Sequence, residues 1–79
     1  MITRRLRFAS WEYYHRLKRQ AMVQESTAER LIRLANALHV EGRPEAARCL
    51  VRVALRFRVQ GICLSAQADA LDWREGLFV

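Results

Sequence analysis

Apolar residues recur along this chain at alternating steps of three and four, and the run is interrupted once, at Glu41-Gly42-Arg43-Pro44. Such spacing lines one side of an α-helix with a continuous stripe. Before the interruption the stripe reads Tyr14, Leu17, Ala21, Gln24, Ala28, Leu31, Ala35 and Leu38. After it come Ala47, Leu50, Ala54, Phe57, Gly61, Leu64, Ala68 and Leu71. Folding the chain back at Gly42 sets Leu38 against Ala47, Ala35 against Leu50, Leu31 against Ala54 and Ala28 against Phe57, then Ala21 against Leu64 and Leu17 against Ala68. In every facing pair the residue numbers add to 85, so a single register brings a small residue to nearly every large one. Packed helices sit roughly 8–10 Å apart, closest where one partner is small. A constant volume from layer to layer avoids both voids and strain.

The pattern therefore predicts an all-α fold, an antiparallel αα-hairpin of two long helices over about 11–40 and 44–73. Ser10 suits a helix N-cap with Glu12 in the first turn, Gly42 suits the turn, and Pro44 suits the first position of the second helix. Residues 1–9 are set apart as a basic N-terminal arm, and 1–79 form a single small helical domain. Flanking positions agree with the register: Ile32 faces Val51, Glu25 faces Arg58, Leu34 faces Val53, Thr27 faces Gln60, and Tyr13 lies near Arg74. Two features speak for breaks. Ser26-Thr27-Ala28-Glu29 reads as a capping box that splits the first helix, and Gly61 reads as a stop in the second. Against a stop, the three-four register passes through Gly61 without a change of phase, and the missing side chain leaves room for Gln24 opposite.

Composition adds a demand for a partner. Hydrophobic residues make up 52% of the chain, more than one seam uses, while 79 residues form only a marginal core. A second stripe on the later helix, Val51, Leu55, Val59 and Ile62, with Cys63 beside it, is the expected protein interface. Dimerisation into a four-helix bundle is the simplest way to cover it, and docking on a helical protein partner is the other.

Charge brings in a rival. The net charge is +6, with Arg4, Arg5, Arg7, Arg16, Lys18 and Arg19 near the start and Arg48, Arg52 and Arg56 along the second helix. In the hairpin Arg33 comes level with Arg52, widening the basic belt. Those groups would attract an RNA or DNA backbone without reading sequence. Alternatively they form a solvated face with Glu12–Arg16 and Glu29–Arg33 pairs, and the acidic end at Asp69 and Asp72 partly neutralises Arg16 and Lys18. No helix-turn-helix, zinc-finger or RNA-recognition signature is visible, and no apolar run approaches the ~20 residues that span a bilayer. A membrane is not an expected partner.

Candidate chemistry is sparse. Cys49 and Cys63 are too far apart along one helix to join, since 14 residues at 1.5 Å each put them about 21 Å apart. Free thiols suggest a reducing, cytoplasmic setting. His15 and His39 belong to no ligand cluster, and no nucleophile motif, phosphate loop or carboxylate pair stands out. No catalytic residue, metal or cofactor is expected, and the chain is not read as an enzyme.

The alternation of alanine with leucine across residues 14–71 resembles the core of the Rop family of plasmid RNA-organising proteins, helical hairpins that pair into four-helix bundles. That resemblance implies an RNA-binding regulator, and it carries over no binding residue. Residues 28–55 also resemble a single tetratricopeptide repeat, through Leu31, Leu34, Ala35, Leu38, Gly42, Ala47, Ala54 and Leu55. Val51 stands where that repeat has an aromatic, and the proline expected near Val59 is missing. The function expected from the residues is a small non-enzymatic regulatory or adaptor protein acting by helix–helix association. The alternative is a Rop-like nucleic-acid binder.

Overall fold

In the computed structural model two helices run antiparallel and pack along their length: α1, Ile2–Val40, and α2, Pro44–Glu75. The structure describes the backbone of residues 2–76 and the side chains of residues 9–76. It is a rod, with principal extents of 62 × 16 × 14 Å.

The turn is built as its residues require. Gly42 adopts φ 84°, a left-handed conformation that a side chain resists, and Arg43 N–H donates to Leu38 O at 2.9 Å. Pro44 opens α2, where its missing N–H costs nothing. At the far end Gly76, φ 61°, caps α2 by donating its N–H to Asp72 O at 2.7 Å.

α1 begins nine residues earlier than the pattern indicated. The stretch from Ile2 to Ser10 contains neither glycine nor proline, and its arginines, leucine and alanine favour helix. Ser10 is consequently an interior helical residue and not a cap. The capping box at Ser26 leaves α1 unbroken as well. Thr27 Oγ1 donates to Val23 O at 2.9 Å, one turn back, so it bonds across the break that a Ser26 cap would have made.

The core consists of the small members of the layers, joined by Leu17 and Leu71 at the end away from the turn. Ala21, Ala28 and Ala35 of α1 and Ala47, Ala54, Gly61 and Ala68 of α2 are buried, each seven residues from the next. Gly61 shows how close the helices come. A Cβ there would lie 3.2 Å from Ala21 O and 3.2 Å from Glu25 Cγ, tighter than ordinary contact. Gln24 Cβ would lie 3.5 Å away, in agreement with the pairing of Gln24 with Gly61. Lys18, which donates to Ser65 Oγ at 2.9 Å and pairs with Asp69 Oδ1 at 2.8 Å, fits the same register. α2 runs through Gly61 because the backbone of α1 takes up the space a side chain would need.

Candidate protein-association face

Large residues of the seam behave differently from small ones. Leu31, Leu38, Leu50, Phe57 and Leu64 stay half-buried, and among the described residues no large side chain is fully enclosed. Their placement follows from helical phase. In both helices the large residue lies three positions beyond a buried small one: Leu31 after Ala28, Leu38 after Ala35, Leu50 after Ala47, Phe57 after Ala54. Because α2 runs the opposite way and also looks back the opposite way, the same step turns both series toward one side of the hairpin. The positions three further on, Gln20, Thr27 and Leu34 in α1 and Val53, Gln60 and Gln67 in α2, widen that side.

The result is an open face running from Tyr13 to Leu38 and from Ala46 to Leu71. It holds leucines, Val53, Phe57 and uncharged polar residues, with no Asp, Glu, Lys or Arg. At the chain's 28% charged composition, a face of these 16 positions would carry about four charges. Leu34 and Val53 are exposed on it, and the large seam residues lie between them. Gln24 sits in its middle, and its Oε1 is shielded from solvent without a hydrogen-bond partner among the described residues.

The opposite face mixes charged and apolar residues. It carries Lys18 with Ser65, then Glu25, Ile32 and His39 across from Arg58, Val51 and Pro44. Its open groove near the turn is lined by Asn36, His39, Val51 and two arginines, Arg48 and Arg52. At the far end Tyr14 and His15 meet edge to face, with ring centroids 5.3 Å apart, and Trp11 lies 4.2 Å from His15. Lys18 Nζ stands 5.7 Å over the Tyr14 ring, a cation–π contact. The Lys18 pKa is raised above its ordinary 10.5, first because its ammonium donates to the Asp69 carboxylate. Among the described residues this is the ion pair that closes, whereas Glu25–Arg58, Glu12–Arg16 and Glu29–Arg33 do not reach pairing distance.

The residues expected to meet a protein partner, Val51, Leu55, Val59 and Ile62, are all exposed. Val51, Leu55 and Ile62 belong to the opposite face, the last two one position after buried Ala54 and Gly61, and Val59 lies at the outer edge of α2, with Arg48, Arg52 and Arg56 nearby. Of the residues expected to meet nucleic acid, Arg16, Arg19, Arg48, Arg52 and Arg56 are exposed, and Lys18 is held by Asp69 and Ser65. The side chains of Arg4, Arg5 and Arg7 lie outside the described residues. The basic belt from Arg33 to Arg52 does not form. Each arginine lies two positions from a buried alanine, Ala35 or Ala54, and two positions are about 200° of helix, so the two point away from opposite edges.

Cys49 and Cys63 are free and exposed. Among the described residues no group of His, Cys, Asp and Glu is placed to hold a metal, and no helix is long and apolar enough to cross a membrane. Set against known proteins, the chain matches no family model, no curated protein and no solved structure. The hairpin that both sequence resemblances share therefore stands on its own packing.

Proposed function

We propose that this protein is a small non-enzymatic adaptor or regulatory module that works by helix–helix association, with the open face of the seam as its working surface. One observation carries the reading: Leu31, Leu38, Leu50, Phe57 and Leu64, the large members of five core layers, are left half-exposed on a common face that holds no charge. A lone hairpin leaves those leucines and Phe57 partly in water, and a helical partner laid along the face removes them from it. The stripe of Val51, Leu55, Val59 and Ile62 on the other side serves this purpose less well, because closing over it means desolvating neighbouring arginines such as Arg48.

Recovery of the untagged protein at moderate salt tests the reading. The expected product is a protein-only complex heavier than the 9.3 kDa chain. Leu31→Gln with Phe57→Gln should dissolve it, and Leu55→Gln with Ile62→Gln should leave it intact. A bare chain contradicts the proposal. So does retention of RNA or DNA that disappears steeply with added salt, which would favour the basic residues instead.

A further inference from the structure

We infer that the open face is filled by a second copy of this chain, stacked antiparallel so that Phe57 of each copy packs over the Gln24–Gly61 layer of the other. This rests on the proposed function and names the partner. The argument is one of volume. Place a two-fold axis across the face, perpendicular to the helices, midway between the Gln24–Gly61 and Ala28–Phe57 layers. The Leu17–Ala68 layer then meets Ala35–Leu50 of the second copy, and Ala21–Leu64 meets Leu31–Ala54. Each of these combined layers holds two leucines and two alanines, and the end layer, Tyr14–Leu71 with Leu38–Ala47, holds a tyrosine in place of one alanine. The layer with the least side-chain volume, Gln24–Gly61, meets the one that contains Phe57. Interiors tolerate neither voids nor overpacking, and this register avoids both along the face. An axis parallel to the helices would instead stack Gly61 layers on each other and Phe57 layers on each other.

Area and polarity agree. The face spans 25 residues of α1, about 37 Å at 1.5 Å per residue, and is about 20 Å across two helix widths. That is about 700 Å² per copy, close to the roughly 800 Å² each partner buries in a stable interface. A chain of net charge +6 can close on its own copy only through a surface that desolvates no charge, and this face qualifies. The axis also sets the two Gln24 side chains about 6 Å apart along the helix direction. Each amide then has a donor within reach of the other's shielded Oε1.

Sedimentation equilibrium on the purified protein should return twice the 9.3 kDa chain mass at micromolar concentration. Phe57→Ala should weaken the dimer by roughly tenfold or more. With both native cysteines changed to serine, Gln60→Cys should form a disulfide-linked dimer under mild oxidation. Position 60 of one copy lies only about 3 Å from its counterpart along the helix direction in this register. Leu55→Cys, on the opposite face, should not cross-link. A monomeric mass, or cross-linking through Leu55→Cys but not Gln60→Cys, overturns the inference. If the purified chain is monomeric yet a cellular protein complex is lost with Phe57→Gln, only the second copy is refuted. A complex indifferent to the open-face variants removes both readings.

Discussion

Alanine and glycine carry the seam. Ala54 is 1% exposed and Ala28 wholly buried, and the Gly61 geometry places the small residues of α2 against the backbone of α1. Backbone cannot swing aside as a side chain can, so added volume at these sites has nowhere to go. Ala54→Leu should lower unfolding free energy by about 1–3 kcal/mol in chemical denaturation, while Ala37→Leu, at an exposed position, should stay within about 0.5 kcal/mol. Equal effects at the two sites would mean that the seam is not where the register puts it. Lys18 gives a second residue-scale test. Its pKa is raised in the folded chain, so the stabilisation from its pairing with Asp69 is fully present below pH 10.5 and fades as pH rises through the raised value. Lys18→Met should melt slightly below wild type at neutral pH, and the gap should narrow in strongly alkaline solution. A gap that stays constant across that range would show that the ammonium contributes nothing through its charge.

At the scale of the helices, what a sequence can disclose depends on what specifies it. The register was legible because large and small residues alternate in antiphase about Gly42, and only one offset pairs them all. The start of α1 was not. Ser10 and Glu12 make a good cap on paper, but nothing in Ile2–Ala9 opposes helix, and a cap acts only where the helix would otherwise end. The Ser26 capping box is overridden in a related way, since helix continues on both sides of it and Thr27 Oγ1 bonds one turn back to Val23 O. Gly42 is the element-scale test of the turn. Its φ of 84° is costly for any L-residue, and no atom lies near enough to touch an added methyl. Gly42→Ala should therefore destabilise by about 1–2 kcal/mol through the backbone alone, measured by thermal unfolding. No loss there would mean the connection has another conformation.

On the scale of the whole molecule, the side on which each residue lies is the harder thing to read. Pairing numbers that add to 85 say which residues are level, but not on which side of the hairpin each lies. Arg33 and Arg52 are level and point away from opposite edges. The leucines of both helices share a face only because reversing chain direction and reversing outlook cancel. The stripe expected at Val51, Leu55, Val59 and Ile62 is exposed, and the half-buried Leu31, Leu38, Leu50, Phe57 and Leu64 form a second, uncharged candidate face. Half-burial of the seam leucines is the feature that shifts attention to the other side.

A photoreactive side chain placed at position 57, and separately at position 55, decides most directly between those two surfaces. Irradiation of the native protein at moderate salt should join position 57 to another polypeptide and leave position 55 unjoined. Cross-linking from 55 with none from 57 would contradict the account.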